Sequence, residues 1–478
     1  MSRLSVAFVL LVAGVAAGQE PPKPITLALH GPKPTPRKLK YPLLVPASDQ
    51  VPGNAVTHYK EANEKHQQLI KDEGFQPYQD KIDAWGKLPL DELPRKEMAE
   101  FFEKYREVYA AIEAGAHCDH ADWEHLAGLR SKGIAALLGE DIQRVRRLIQ
   151  LLAVRIRYYT AEGKVELALK DLQTGYTMGR HTCESPTLIG VLVGLALTNI
   201  MTERLDELLQ QPNMPNLYWS LAQMPATQET LRRPMQAERL SGYGSFPGIF
   251  DAATNLDAGP ITAEQVQGCV KTIMQIDMMP VSRPRALLNE VRMGLAINQK
   301  HEAAKKALIA AGRPKEKVDA MPHVQVALLH ALLDYDRVLD DFLAAEQLPP
   351  WEALPKLRQW NRQKLREINR RPDAPAIPLA SEFVPSAEKV YRAHLRVDRR
   401  FAALRIVEAL RLYAAAHDGR FPGSLKEIKD VPVPIDPGTG KDFEYKLHDN
   451  TVTLRGSPLG SETNSYPFAF VYELTYQR

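Results

Sequence analysis

The sequence predicts a mainly α-helical protein, built as helical hairpins in a bundle or a short α-solenoid, with a small C-terminal α+β module containing an antiparallel hairpin. Apolar residues recur at helical spacing through most of residues 53–370. The 36 prolines divide that pattern into many short segments. Beyond residue 386, one long helical pattern is followed by short alternating segments typical of strands.

The N-terminal residues predict export. Residues 1–18 combine a basic Arg3, an apolar core and small residues at positions 16–18, which is the pattern of a secretory signal peptide; a short membrane anchor is the alternative. We therefore expect a periplasmic or extracellular protein. Residues 19–52 are rich in Pro and Lys, which favours an extended leader of low order.

The clearest helical period lies between Asp141 and Gln210. Gly163 separates two amphipathic patterns, which predicts an antiparallel helical hairpin. The next segment, Thr187 to Met201, is apolar on every side. Its length is below the roughly 20 residues needed to cross a bilayer, so we expect a central core helix and no membrane span after signal cleavage.

That hairpin resembles a tetratricopeptide unit in part. Tyr159, Ala168, Leu172 and Gly175 stand at the mutual offsets that this family uses for Tyr, Ala, a large apolar residue and a small one. No second copy follows at the family's period of about 34 residues, so a generic helical domain is favoured over a repeat array.

Further helices are predicted on both sides of the hairpin. A glycine-containing loop is expected from Ser241 to Gly259, and a Pro-rich linker from Arg371 to Pro385 marks a domain boundary between residues 53–370 and 386–478. The remaining predicted helices are Asn54–Lys71, Arg95–Ala114, Asn216–Met224, Gln228–Arg239, Ile261–Met278, Pro284–Ala311, Pro322–Leu348 and Trp351–Asn369.

The C-terminal module begins with a long helix, predicted from Ser386 to His417. Tight turns follow at residues 436–441. Phe443 to Leu447 and Val452 to Arg455 then alternate around Asp449-Asn450, which indicates a β-hairpin, and Phe468 to Leu474 supplies a third strand.

This ending resembles the soluble half of the type II secretion major pseudopilin. The likeness rests on RIVEALRLYAAAHDGRFPGSL followed by PIDPGTGKDFEY, and it implies a helix leading into a small sheet. Between Ser457 and Ser465 the chain has only Glu462 where those proteins carry an acidic calcium-binding loop. The whole layout also resembles large families of exported proteins from planctomycete-type bacteria, a resemblance that implies no particular activity.

Charge and cysteine content exclude some classes. The net charge of +3 with no long basic block argues against a nucleic-acid-binding surface. Cys118, Cys183 and Cys269 are odd in number and widely spaced, so they form neither a disulfide framework nor the tight pairs of a structural zinc site. Buried or unpaired thiols are the expectation.

The most suggestive chemistry lies between Ala116 and His125, which holds three His, one Cys and acidic residues. If this segment is helical, His117, His120 and Glu124 share one face and could hold Zn²⁺ with one position open for water. Their spacing matches no zinc-hydrolase motif, so a solvated polar loop is favoured. His323 and His330 are interpreted as incidental or core residues.

Neither glycine-rich tract has phosphate-binding spacing. Residues 241–259 lack the G-x-G-x-x-G order, and residues 437–441 lack the first Gly and the Ser or Thr of a P-loop.

These observations predict an exported, non-enzymatic helical scaffold or interaction protein whose partner is a protein. No catalytic, cofactor-binding or metal-binding residue is assigned. The alternative is a metal-assisted hydrolase that uses His117, His120 and Glu124.

Overall fold

The computed structural model describes residues 22–124, 140–277, 283–359, 367, 370–459 and 469–477. The predicted fold class is confirmed, since the chain is 64% helical with a small sheet formed largely by its C-terminal part. The predicted signal peptide, His125 and Glu462 lie outside the described residues.

The helices are α1 (Ala55–Glu73), α2 (Phe75–Lys87), α3 (Arg95–Lys104), α4 (Arg106–Ala116), α5 (Glu140–Ala161), α6 (Val165–Cys183), α7 (Leu188–Leu208), α8 (Tyr218–Ala222), α9 (Thr227–Gly244), α10 (Ile249–Thr254), α11 (Ala263–Asp277), α12 (Arg283–Ala310), α13 (Lys315–Asp319), α14 (His323–Glu346), α15 (Pro350–Gln359) and α16 (Leu379–Ala416). The strands are β1 (Ile25–Leu29), β2 (Val51–Asn54), β3 (Cys118–His120), β4 (Glu444–His448), β5 (Thr451–Gly456) and β6 (Phe470–Tyr476).

The helical hairpin predicted around Gly163 is confirmed as α5 and α6. Gly163 has a φ of 67°, which lets the chain turn without the steric cost that a side chain would bring. The following apolar segment forms α7, which packs against α5, α6 and α16 as the predicted core helix. Within the described part of the chain, α7 is the one helix long and apolar enough to cross a membrane, and 56% of the relevant window is buried inside the protein.

Helices α6 and α7 approach each other at glycines. A Cβ atom placed on Gly194 would lie 2.7 Å from the carbonyl oxygen of Gly179 and 2.9 Å from the backbone nitrogen of Cys183. The two backbones are therefore in direct contact, and only a residue without a side chain fits at this crossing.

Helix α16 connects the helical region to the C-terminal sheet. It packs on α7, α8, α9 and α14 and also contacts β5 and β6. It begins at Leu379, inside the predicted linker, so the expected helix start at Ser386 is wrong by about two turns. Burial of its apolar face outweighs the unfavourable Pro385 within the helix.

Two buried ion pairs fix α16. The fully buried Arg411 bonds Glu408 one turn earlier, at 2.8 Å, and also donates to the carbonyl oxygen of Met214 at 3.0 Å. Arg399 forms a two-point contact with Asp436, with Nε–Oδ1 and Nη2–Oδ2 distances of 2.7 and 2.6 Å. The second pair holds the turn at residues 436–441 against the helix.

The sheet has the strand order β1-β6-β5-β4. The hairpin β4–β5 is confirmed, and Asp449 and Asn450 both have positive φ values, 46° and 59°, as a tight hairpin turn requires. Strand β1 pairs in parallel with β6 from Ile25↔Tyr472 onward. The prediction that residues 19–52 have low order is therefore wrong for this part, because backbone pairing and the burial of Leu27 and Leu29 fix it.

Two other local predictions need correction. The helix predicted from Arg95 to Ala114 is interrupted at Tyr105. The loop predicted from Ser241 to Gly259 contains the end of α9 and all of α10, since Ile249 and other apolar residues there are buried against neighbouring helices. Helix α2 was not predicted. The helix predicted from Trp351 to Asn369 is described as α15 up to Gln359, and most of the rest of that prediction lies outside the described residues.

Candidate functional site

The segment that carries the predicted metal ligands is not helical. Helix α4 ends at Ala116, His117 is its C-cap, and Cys118–His120 form a strand. The condition under which His117, His120 and Glu124 would share one helical face is therefore not met, and the metal-site alternative that depended on it is not supported by the geometry. The physical reason is a long-range pairing, because β3 lies parallel to β2 with Val51 opposite Cys118.

These side chains make local contacts instead. His117 Nδ1 lies 2.9 Å from the carbonyl oxygen of Glu113, and His120 Nδ1 lies 2.8 Å from Asp119 Oδ1. The contact with His120 and the N–H of Gly53 lower the pKa of Asp119. Across the residues that the structure describes, no group of three or more His, Cys, Asp or Glu side chains is placed to hold a metal ion. The hydrolase alternative gains no geometric support here.

The three cysteines are buried and unpaired, which confirms the expectation from their spacing. Burial raises the pKa of Cys183 to about 12 and that of Cys269 to about 11. A thiol with such a pKa is protonated at neutral pH and is a poor nucleophile.

The remaining sequence candidates also have structural roles. The N–H groups of Gly438 and Gly440, which a phosphate would need, donate to Asp436 at 2.8 Å each. His323 Nδ1 lies 2.8 Å from Asn298 Oδ1, and its ring stacks on His301 with 3.8 Å between centroids. His330 is buried, which lowers its pKa.

The best-defined candidate site is a cavity of about 280 Å³ between α6, α7, α9 and α16. Its wall is mainly apolar. The apolar lining residues include Leu44, Tyr176, Leu195, Met224, Val397 and Phe401. Tyr176 and Phe401 meet edge to face, with ring centroids 6.0 Å apart. Arg180 lies four residues, about one turn, beyond Tyr176 along α6, and His394 lies seven residues, about two turns, before Phe401 along α16. The charged side chains are therefore displaced from this aromatic pair along both helices, and we call their side of the cavity its charged end.

The charged end contains Arg180, Glu184, Glu229, Arg233 and His394. Arg180 Nε lies 3.8 Å from Glu184 Oε1, while the other oxygen of Glu184 accepts the N–H of Ala121 at 2.9 Å. His394 is buried and pairs with Asp398 at 3.4 Å. Arg233 and Glu229 are exposed and form the rim.

A buried histidine orients Arg180. Arg180 Nη2 lies 3.1 Å from His181 Nε2, and since a guanidinium can only donate, this ring nitrogen is the acceptor. His181 Nδ1 then carries the hydrogen and donates to the hydroxyl of Tyr59, 2.9 Å away. Burial lowers the pKa of His181 to about 3, so the ring stays neutral and keeps this arrangement at neutral pH.

The segment singled out by the sequence borders this end of the cavity. Ala121 bonds Glu184, and Trp123 Nε1 donates to the carbonyl oxygen of His181 at 2.9 Å. Its role here is to hold the C-terminal end of α6. Sequence reasoning missed the cavity itself, because its lining comes from widely separated segments that no local pattern connects.

Comparison with known proteins adds no assignment. No protein-family model matches the chain. Neither curated proteins nor solved structures show a match.

Proposed function

We propose that this chain is an exported, non-enzymatic interaction protein that binds a partner or ligand by enclosing one of its apolar groups in the cavity between α6, α7, α9 and α16. Export rests on the signal-like residues 1–18. The observation that carries the proposal is the cavity itself, which combines a mainly apolar wall with a few charged side chains, among them Arg180, Glu184 and His394.

The cavity volume sets the size of the group that fits. At about 30 Å³ for each water-sized group, 280 Å³ holds roughly nine such groups. Burying that many methylene groups at about 0.8 kcal/mol each gives about 7 kcal/mol, from which association costs are subtracted. With an association cost of about 4 kcal/mol, the expected dissociation constant for a single apolar chain is therefore in the millimolar range.

The hydroxyl and thiol groups in the lining support binding rather than bond cleavage. Thr198 Oγ1 donates to the carbonyl oxygen of Gly194 at 3.0 Å, and Thr230 Oγ1 donates to that of Ala226 at 3.4 Å. The thiol of Cys183 is directed at the carbonyl oxygen of Val191. Each group is therefore engaged by a backbone acceptor rather than by a base that could activate it.

The proposal is tested by titrating 1-octanol into the purified protein in a calorimeter. We expect saturable binding to wild type and its loss in Leu195→Phe, because the larger side chain fills the cavity. Leu197→Phe is the matched control, since Leu197 is also buried on α7 but does not line the cavity. Absence of octanol binding to wild type, or equal affinity in Leu195→Phe, would contradict the proposal.

A further inference from the structure

Resting on the proposed function, we infer that the bound group carries a carboxylate next to its apolar part, and that Arg180 and Arg233 hold this carboxylate at the charged end of the cavity. Both arginines line the cavity.

Arg180 has hydrogen-bonding capacity to spare. Its Nη2 is engaged by His181, but its Nε is buried and has no hydrogen-bond partner; the nearest carboxylate oxygen, on Glu184, is 3.8 Å away. A buried N–H without a partner is costly, and a ligand oxygen would relieve that cost. The neutral His181 ring fixes the guanidinium in place, so little ordering is needed on binding.

Arg233 is the second donor. Within the described part of the chain it makes no hydrogen bond or ion pair, although its charge acts on Glu184. It is exposed at the rim and faces the same opening as Arg180. Two guanidinium groups around one opening provide the planar, forked donors that suit a carboxylate.

The acceptors at this end are already in use or solvated. Glu184 accepts the N–H of Ala121 and lies beside Arg180, and burial raises its pKa, which weakens it as a partner for a cationic ligand. His394 pairs with Asp398, and Glu229 is exposed. Glu229 and Arg233 are both exposed and so offset each other, and what remains is the buried Nε of Arg180, a donor without a partner. This donor favours an anionic head group over a cationic one.

A carboxylate beside an apolar group occurs in a medium-chain fatty acid and in a peptide C-terminus that ends in an apolar residue. We test both sources with matched probes. Octanoate is compared with 1-octanol, and N-acetyl-leucine with N-acetyl-leucinamide, by calorimetry at pH 7.5.

In wild type we expect each acid to bind more tightly than its neutral match. Arg180→Gln and Arg233→Gln should each lower octanoate affinity by about tenfold while octanol affinity changes by less than twofold. Arg232→Gln is the control, because Arg232 carries the same charge as its neighbour Arg233 but does not line the cavity. Arg233→Gln also guards against misfolding, since its side chain is exposed.

The outcomes separate the two proposals. If octanol binds as tightly as octanoate and Arg180→Gln leaves octanoate affinity unchanged, the carboxylate inference is overturned while the proposed function stands. If octanol does not bind to wild type, the proposed function itself fails. Tighter binding of N-acetyl-leucine than of octanoate, with the same dependence on Arg180, supports the inference with a peptide as the source.

Discussion

The ion pair between Arg399 and Asp436 offers the sharpest test of how the C-terminal module is held. Arg399 is fully buried and Asp436 is 3% exposed at its side chain. Besides its two contacts with Asp436, Arg399 Nη2 donates to the carbonyl oxygen of Ser457 at 2.7 Å. The perturbation is Asp436→Asn, which keeps the size of the side chain but removes its charge.

The expected loss follows from burial. Removing one partner of a buried ion pair leaves the other charge without compensation, which costs about 3–5 kcal/mol. The amide can still accept from the N–H of Gly438, now 2.8 Å from Asp436 Oδ1, so that bond adds little to the loss. We expect Asp436→Asn to destabilise the protein by about 3–5 kcal/mol, a large share of the 5–15 kcal/mol typical of a folded protein.

The assay is urea unfolding. A shift of the midpoint counts as a change in stability where the dependence of the unfolding free energy on urea concentration is the same in both proteins. Glu103→Gln is the exposed control, because Glu103 and Arg106 are 77% and 74% exposed and their 3.7 Å contact should contribute about 0–1 kcal/mol. The double variant Arg399→Met with Asp436→Leu should recover much of the loss, since no charge remains buried. A loss below about 1 kcal/mol for Asp436→Asn would refute the reasoning.

Three more predictions concern packing and pH. Gly194→Ala should destabilise by about 1–3 kcal/mol through backbone overlap, whereas Gly294→Ala, with nothing within 4 Å of its Cβ, should stabilise by about 0.5–1 kcal/mol; thermal unfolding distinguishes them. Burial lowers the pKa of His66 from 6.5 to about 4, so the unfolded state binds the proton first and stability should fall as pH drops from 6.5 to 4, by about 3 kcal/mol. His66→Leu should flatten that decline in urea midpoints, and an equal slope in both proteins would contradict it. Burial raises the pKa of Glu238 from 4.5 to about 8, so stability is lost as pH rises between those values. In urea unfolding, the free energy of unfolding of Glu238→Gln should exceed that of wild type by a few kcal/mol at pH 8 but not at pH 4.5.

Local signals predicted much of the fold. The helical hairpin around Gly163, the core helix α7 and the hairpin turn at Asp449-Asn450 follow from periodicity and from residues that tolerate positive φ. These features depend on neighbours within about 20 residues, which a single sequence displays. The resemblances to tetratricopeptide and pseudopilin segments stay predictions.

Features that depend on distant residues were missed. The metal-site hypothesis assumed a helix at His117–Glu124, but pairing with Val51, far earlier in the chain, makes Cys118–His120 extended. The start of α16 was placed too late, since Pro385 argued locally against a helix that tertiary packing stabilises. The cavity needs residues from four separate helices, so no single stretch predicts it.

The parallel pairing of β1 with β6 has a consequence for the order of folding. The two strands are separated by roughly 440 residues, and closing such a loop costs about 5 kcal/mol more than closing the shortest one. Strand β1 can complete the sheet only after residue 476 has been synthesised. Until then the N–H and C=O groups that join the two strands are unpaired, and they can pair with another chain. Such pairing is the usual route to edge-to-edge aggregation. Strand β1 thus covers the edge of β6, and variants that weaken this pairing should self-associate more readily while the chain folds.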